Sequence, residues 1–478
     1  MKRSNCGCGE LQDLLNEWPD FESLQQDDPI AIMELNRVTG FLPKGVGHQS
    51  YAIFFDSYLI CDDEAFLRLG RLLSNRIFRR ELHEEISKRR FERSLAVLLA
   101  NLIAAMRRDW DPWIAISRNK IDYQRRYTSP LINFNALRAA MDALRDLGYI
   151  EFRRGFRPPP GNTGFRTRMK PSDRFVRLVR NLGAADVRIF SVIEERETVV
   201  VKDAHGRFLD YDDSPRTFGM RAAIEAYNRQ LSQARIVLPP DIPSAAIDFS
   251  QNRVYRVFSN RNLEEGGGFY GPWWASCSPE FRPFIEINDQ PVIELTFEAQ
   301  VVQQVYARQG FTCFEAMGDE DPYLIPGFES FPRAFGKVAF QILLNCFSEA
   351  HALVALMRSD VNTLLGDTQI GYQPNDVLTA VTVKHEEVEE QFLSGVGPKL
   401  QYEAACIAEN VIRNGLDRGI SVLLAQDGFI VAREHEYWLR AAMSTAWSET
   451  YPDCSGIPNI RAHPGRSSHD MGLAARSA

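Results

Sequence analysis

Charged side chains in the second half of the chain have the types and spacing of a phosphate-binding site. Arg333 and Lys337 stand one helical turn apart and therefore share a helix face, where two cations can grip a polyphosphate. Asp427 falls between two apolar runs, at the expected tip of a hairpin. Glu294 and Glu298 lie four residues apart on an alternating segment, so both should point to one face of a strand. The two cations could therefore hold a polyphosphate, and an acid at a hairpin tip between buried strands is a candidate functional residue.

Alternating strands and periodic helices must position these side chains. Residues 291–297 are rich in β-branched residues and predict a strand, which a helix over 299–307 follows. A later segment, 399–412, has helical spacing, and 421–431 predicts two strands around Gln426-Asp427-Gly428. The predicted order is a strand, a helix, the helix that carries Arg333 and Lys337, a further helix and a hairpin.

The first half contains a different pattern, which begins at Arg93. Apolar residues recur at helical spacing up to Met106, a short segment follows at 116–121, and a longer helix ends at Gly148. Two strands should follow, at Tyr149–Phe152 and around 175–179, joined by a turn rich in Pro and Gly. This order resembles that of winged helix-turn-helix modules.

Basic residues are concentrated in and around that turn. Nine Arg and Lys residues between 151 and 180 stand against Glu151 and Asp173, an excess that favours phosphate contact. The candidate nucleic-acid-binding residues are Arg153, Arg154, Arg157, Arg166 and Arg168. Winged helices also serve as protein-interaction modules, and arginines on a solvated face need no ligand, so a protein partner remains an alternative.

Length and composition restrict the class of protein. A chain of 478 residues with 45% hydrophobic and 25% charged residues predicts a multidomain globular protein. The start of the chain has no apolar signal region, and no run of about 18 apolar residues occurs, which predicts an intracellular, cytoplasmic protein without membrane contact. The eight cysteines show no paired metal-binding spacing, and we interpret them as reduced thiols.

Taken in order, the segments between about 245 and 450 resemble the palm and fingers of family A DNA polymerases, especially compact forms associated with phage and mobile-element genomes. Glu294-Leu-Thr-Phe-Glu298 occupies the place of that family's motif A strand, Arg333 and Lys337 match its motif B helix, and Gln426-Asp427-Gly428 matches its motif C turn. Tyr306 stands where the family keeps a tyrosine, and the upstream segment 266–274 is similar to the lead-in of the compact group.

The departures from the family pattern concern metal binding. The resemblance implies a two-metal mechanism, in which aspartates from two strands hold a pair of cations. Thr296 stands in place of one of these aspartates, and a hydroxyl carries no charge at neutral pH. Gln303 replaces an expected arginine, and Gln341 replaces an aromatic residue that would cover the nucleotide.

The predicted fold class is α+β, with a winged-helix-like module and a polymerase-like palm, built on an antiparallel sheet, with helical fingers. The predicted division is 1–92 unassigned, 93–180 winged-helix-like, 181–244 connecting, 245–460 palm and fingers, and 461–478 a disordered tail.

The resemblance implies a polymerase-like protein that binds nucleic acid, DNA rather than RNA, and a nucleoside triphosphate, with weak or lost nucleotidyl transfer. Arg333 and Lys337 would hold phosphates, Gln401 would lie near template or primer, and Asp427 would be the remaining metal ligand. One alternative is an active, Mg²⁺-dependent polymerase in which Glu294 or Glu298 replaces the missing aspartate. Another is a DNA-binding regulator or replication partner that acts through residues 93–180 alone.

Overall fold

A computed structural model describes most of the chain beyond residue 51. The described residues are 52–78, 87–107, 113–123, 125–155, 167–191, 196–204, 206–239, 249, 251–318, 320–357, 361, 364–365, 372–425 and 428–466. Helices predominate over strands, and the strands form small sheets in which most pairs are antiparallel. The chain divides between Arg196 and Glu197 into two compact units, a boundary inside the predicted connecting region.

The first unit contains four helices of eight or more residues among its described residues. They are α1 (Glu64–Ile77), α2 (Lys88–Met106), α3 (Phe134–Asp146) and α4 (Asp173–Asn181). Its strands are β1 (Ala52–Phe54), β2 (Leu59–Ile60), β3 (Trp113–Ile116), β4 (Ile150–Arg153), β5 (Thr167–Pro171) and β6 (Phe190–Ser191). Four of the strands form a sheet in the order β1-β3-β5-β4, in which only the β1–β3 pair is parallel.

Helix α2 supplies the centre of this unit's core. Leu98, Leu99, Leu102 and Ile103 are fully buried against residues of α3 and the sheet. The predicted periodic helix is confirmed, and the structure extends it to Lys88 because Ser87 caps its amino-terminal end.

The strand predicted around residues 175–179, after the turn rich in Pro and Gly, is wrong in position. The strand that pairs with β4 is β5, at Thr167–Pro171, and the residues from Asp173 onward form helix α4. Phe175 and Val179, four residues apart, are buried on one helix face, and the Ser172 side chain caps the helix by accepting from Phe175 N.

The second unit alternates strands and helices. Its strands are β7 (Val199–Lys202), β8 (Phe208–Leu209), β9 (Ile236–Val237), β10 (Tyr255–Phe258), β11 (Gly266–Tyr270), β12 (Glu286–Ile287), β13 (Gln290–Phe297), β14 (Leu423–Ala425), β15 (Gly428–Ala432) and β16 (Ile460–Pro464). Its helices are α5 (Pro215–Gln233), α6 (Gln300–Ala307), α7 (Cys313–Met317), α8 (Arg333–Asn345), α9 (Glu349–Leu356), α10 (Pro374–Lys384), α11 (Gly397–Arg418) and α12 (Glu436–Thr450).

Strand β13 is the centre of the larger sheet. It pairs with β15 on one edge and with β16 and β12 on the other, and β14 and β9 extend the sheet. Ile293, Leu295 and Phe297 pack against α11 and α12, whereas Val292 belongs to a second core cluster on the opposite face. Both faces of the strand are therefore largely covered.

Strand β16 corrects the prediction of a disordered tail from residue 461. Ile460–Pro464 pairs with β13 over five residues of each strand, so the strand covers the first four residues of the predicted tail. Residues 465 and 466 are also described, and residues 467–478, the end of that tail, lie outside the described part of the chain.

Helices α6, α8, α9 and α10 form a separate helical core. Val302, Val305 and Tyr306 of α6 are buried with Phe335, Ala339 and Phe340 of α8. Helix α6 follows directly after β13, so this contact connects the helix of Arg333 and Lys337 to the central strand.

Candidate nucleotide and nucleic-acid site

The register of the central sheet brings Thr296 beside Gly428, the residue that follows Asp427 in the sequence. Thr296 is the Cα partner of Gly428, and Ala425 pairs with Gly428 across the hairpin. A Cβ at position 428 would lie 2.6 Å from Thr296 Cγ2, so the close approach of the two strands requires a glycine there. Gln426 and Asp427 lie outside the described residues.

The Thr296 side chain has a partner that the sequence did not suggest. Its Oγ1 lies 3.1 Å from Nε2 of His463, which β16 carries alongside β13. The alternation of Ile460 and Ala462 with Arg461 and His463 was a weak strand signal, hidden by the Pro and Gly residues that follow. A hydroxyl paired with an imidazole thus occupies the place where the resemblance expects a metal-binding carboxylate.

Glu294 is held in a buried ion pair. Its Oε1 lies 3.0 Å from an Nη of Arg282, and Arg282 Nε donates to Oε2 at 3.1 Å. The two side chains are only 7% and 9% exposed, so each requires the other's charge. The charge of the carboxylate is therefore already balanced by a cation from its own unit.

Glu298 is the more accessible carboxylate on this face. Its side chain is 41% exposed, with Oε1 4.0 Å from Arg461 Nη1. Asn459 Nδ2 donates to Oε2 at 2.9 Å. This acid retains access to solvent that Glu294 lacks.

Gln303 fixes the chain segment that leads into β16. Its Nε2 donates to the carbonyls of Glu298 and Asn459, and its Oε1 accepts from Asn459 N at 2.7 Å. An arginine, which has no acceptor, cannot make the last of these bonds. The glutamine at 303 therefore helps to hold the segment that leads into β16.

Arg333 and Lys337 lie on α8 as the sequence predicted. Arg333 Nε donates to Asp321 Oδ2 at 2.6 Å, its guanidinium lies 4.8 Å from the Tyr323 ring centre, and its side chain is 52% exposed. A Cβ at Gly336 would lie 1.9 Å from the carbonyl oxygen of Tyr323, so α8 touches the 321–325 segment at that point. This contact positions the first turn of α8.

A buried Tyr–His pair joins the elements around α8. Tyr306 Oη lies 3.1 Å from His385 Nδ1, and His385 Nε2 lies 2.9 Å from the carbonyl oxygen of Pro322. Because a carbonyl only accepts, Nε2 carries the proton and Nδ1 accepts from the tyrosine. Burial lowers the pKa of His385 to about 4 and raises the pKa of Tyr306. The ring is therefore neutral at physiological pH.

Gln401 is exposed near the start of α11, next to a buried network. Gln304 Nε2 donates to the carbonyl of Leu400 and contacts the Tyr451 hydroxyl, both at 3.0 Å. The hydroxyl in turn donates to Glu403 at 2.9 Å. These bonds hold the first turns of α11 against α6.

The candidate arginines of the first unit differ in exposure. Arg153 and Arg154 are exposed at the end of β4, whereas Arg168 is 3% exposed and lies 5.9 Å from the Trp113 ring centre. Arg157 and Arg166 lie outside the described residues. Burial leaves Arg168 without the access that a phosphate contact requires.

Among the residues that the structure describes, no cluster of three or more His, Cys, Asp or Glu side chains has the geometry to hold a metal ion. Asp427 lies outside the described residues, so this statement does not include it. Across the same described ranges, no helix has the length and apolar character to cross a membrane.

Comparisons with known proteins find no relative by sequence and a weak likeness among solved structures. No family model matches the chain, and no curated protein matches it in sequence. Among solved structures, it is similar to the POL domain of Pol1 from M. smegmatis in complex with DNA primer-template and dNTP, with a TM-score of 0.22 and 10% identity over 96% of this chain and 73% of that one. A likeness of that size does not establish a shared fold or activity.

Proposed function

We propose that the second unit is a polymerase-like, nucleic-acid-binding unit in which nucleotidyl transfer is weak or lost. The supporting features are the strand and helix β13–α6, the Arg333 and Lys337 helix α8, and the hairpin β14–β15 that pairs with β13. These elements follow the chain order that the sequence motifs predict.

The register of Thr296 with Gly428 carries this proposal. Two-metal transfer needs carboxylates on both strands, so that a pair of cations about 4 Å apart is neutralised. At the position opposite Gly428, the chain supplies a hydroxyl that is bonded to His463. A hydroxyl adds no charge, and this one already shares a hydrogen bond with the His463 imidazole.

The alternative of an active polymerase rests on Glu298 rather than Glu294. Recruiting Glu294 would break a buried ion pair with Arg282 and leave an unpaired cation, whereas Glu298 is already accessible. If transfer persists, Mg²⁺ would be held by Asp427 together with Glu298.

Primer extension by the Thr296→Asp variant tests the proposal. Restoring the carboxylate should raise the rate of any residual nucleotide incorporation with Mg²⁺ or Mn²⁺ by about tenfold or more, because one metal contact is regained. Thr296→Asn, which has the same shape without the charge, is the matched control and should gain nothing. Equal rates for wild type and both variants would show that the carboxylate at this position does not limit transfer.

We also propose that the first unit contains a winged-helix-like, DNA-binding module. The predicted order is matched by helix α2, a short helical segment, helix α3 and strands β4 and β5, and strand β3, which was not predicted, lies between α2 and the short segment. The three strands lie in the order β3-β5-β4. Arg153 and Arg154 are exposed at the end of β4. The fourth strand, β1, is an addition to that pattern.

Duplex binding at several salt concentrations tests this module. The affinity should fall as salt rises, because bound cationic side chains displace counterions. Charge reversal at Arg153 and Arg154 should weaken binding equally for unrelated sequences, whereas Arg71→Glu on α1 serves as a control for net charge. A complex that is insensitive to salt and to both reversals would indicate a protein-binding role instead.

A further inference from the structure

A short loop before α8 packs directly against that helix. The loop is Asp321-Pro-Tyr-Leu-Ile325, and we call it the platform loop. A Cβ at Gly336 of α8 would lie 1.9 Å from the Tyr323 carbonyl oxygen, so helix and loop are in contact. Tyr323 and Ile325 are 4% and 3% exposed and belong to the helical core around α8. The loop is therefore part of a packed interior rather than a solvated connection.

The end of α10 holds the backbone of the platform loop. Lys384 Nζ donates to the carbonyl oxygens of Asp321 at 2.6 Å and Leu324 at 2.9 Å. His385 Nε2 donates to the carbonyl oxygen of Pro322 at 2.9 Å. The Lys384 side chain is only 7% exposed, and a buried ammonium is costly unless acceptors surround it. Two consecutive residues thus fix three carbonyls of the loop.

The platform loop holds the Arg333 guanidinium by one nitrogen and one face. Arg333 Nε donates to Asp321 Oδ2 at 2.6 Å, and the guanidinium carbon lies 4.8 Å from the Tyr323 ring centre. Asp321 is itself fixed, because its Oδ1 accepts from Tyr323 N at 3.0 Å. Within the described part of the chain, Asp321 is the one side chain that Arg333 hydrogen-bonds. The four N–H donors on the two Nη atoms therefore remain for a ligand.

A guanidinium held in this way has lost conformational freedom before any ligand arrives. An arginine that must be immobilised when it grips a phosphate loses rotamer entropy, which weakens the affinity. For Arg333 the loss occurs on folding, although its side chain is still 52% exposed and accessible to a ligand. The planar fork suits the oxygens of a phosphate, and Lys337 carries a second cation one turn along α8.

The Asp321 carboxylate would compete with a phosphate only if both needed the same donors. Asp321 accepts from Nε of Arg333, whereas a phosphate can accept from the Nη atoms. The backbone of Asp321 is held by Lys384, so the carboxylate and the guanidinium can stay together while the ligand binds. The contacts favour a positioning role over competition.

We propose that the platform loop presents Arg333 to the polyphosphate of a nucleoside triphosphate, and that Asp321 and Lys384 are positioning residues of this site. Asp321 fixes the guanidinium directly, and Lys384 fixes the loop that carries Asp321. The inference rests on the proposed polymerase-like function of the second unit and assigns the residues that set its affinity for phosphates.

Calorimetric titration of the full chain with dATP and Mg²⁺ tests the role of Asp321. Asp321→Asn keeps the shape of the side chain and removes a negative charge, which by charge alone should strengthen the binding of an anion. Loss of positioning should instead weaken dATP binding by about threefold or more, the size expected for one side chain that must be immobilised again. Glu389→Gln removes the same charge at an exposed position after α10 and should change the affinity by less than about twofold.

A double-mutant cycle with Arg333 separates positioning from a general loss of structure. Lys384→Met removes the buried ammonium and should weaken dATP binding by about threefold or more. In an Arg333→Gln background, Asp321→Asn and Lys384→Met should each change the affinity by less than about twofold, because the group that they position is absent. A variant that acts by partial unfolding would weaken binding in both backgrounds.

Inorganic tripolyphosphate separates contacts to the phosphates from contacts to the base and sugar. Because the proposed role concerns the phosphates alone, Asp321→Asn should weaken the binding of tripolyphosphate by the same factor as that of dATP. A loss confined to dATP would mean that the platform loop recognises the nucleoside, which contradicts the assignment.

Other results would also overturn the assignment while dATP binding by wild type left the proposed function intact. Stronger binding by Asp321→Asn would make the carboxylate a competitor. Unchanged affinity in Asp321→Asn and Lys384→Met, or equal losses in both backgrounds, would mean that the loop does not position Arg333. Failure of wild type to bind either ligand at millimolar concentration would remove the positioning role, and binding of a primed template would then test the proposed function separately.

Discussion

A hydroxyl at position 296 differs from a carboxylate by one full charge at neutral pH, and the local structure is adapted to that difference. Thr296 is bonded to His463 at 3.1 Å, and Glu294 on the same strand face is paired with Arg282. Strand alternation alone predicted that Glu294, Thr296 and Glu298 share a face. The partners Arg282 and His463 could not be predicted, because they come from other segments that only the register of the sheet brings close.

Lys337 provides the residue-scale test of nucleotide binding. If the cleft receives a triphosphate, Lys337→Ala should weaken its binding by roughly tenfold or more, since one charge-assisted contact is lost. Titration of a labelled nucleotide measures the effect, and Lys88→Ala in the first unit is the control. Unchanged nucleotide affinity would show that the Lys337 cation does not contact phosphate.

At the scale of elements, periodicity predicted the helices well and the short strands poorly. Helix α2 has apolar residues every three or four positions over five turns, which only a helix explains. Phe175 and Val179 were assigned to a strand because a segment of five residues cannot distinguish the two-residue period of a strand from the 3.6-residue period of a helix. The Ser172 cap stabilises the start of α4 and favours the helix. Strand β16 escaped prediction because it is stable only through its pairing with β13.

Gly336 tests the contact that positions α8. In Gly336→Ala, the new Cβ would meet the Tyr323 carbonyl oxygen at 1.9 Å, so α8 must shift and the protein should lose roughly 1–3 kcal/mol of stability. Gly219→Ala in α5 is the matched control, since nothing lies within 4 Å of its Cβ and the change should stabilise the helix by about 0.5–1 kcal/mol. Denaturant unfolding compares the two. Equal effects would mean that α8 does not touch the 321–325 segment as described.

His385 should make stability depend on pH. Its pKa is about 4 in the folded state, below the ordinary value of 6.5, so the unfolded state binds the proton more readily. Stability from this group is complete above pH 6.5 and declines as pH falls from there toward about 4, by at most roughly 3 kcal/mol. Unfolding of wild type and His385→Gln at several pH values isolates the effect. Identical slopes between pH 6.5 and 4 would contradict a buried, neutral ring.

At the scale of the whole molecule, the chain joins two compact units with different proposed partners. The first unit contains the exposed arginines Arg153 and Arg154, and the second contains the sheet of Thr296. The sequence located the arginines by a local excess of positive charge that the net charge of -8 conceals, and it located the sheet of Thr296 by strand alternation and the order of its segments.

Primer extension by the wild-type protein tests the central claim most directly. Purified full-length protein is given a labelled primer on a template, Mg²⁺ or Mn²⁺ and all four nucleotides, and products are resolved by length. We expect little or no extension, because the central strand carries Thr296 and no carboxylate at the position opposite Gly428. Robust extension that Asp427→Ala abolishes would contradict the account and identify the protein as an active polymerase.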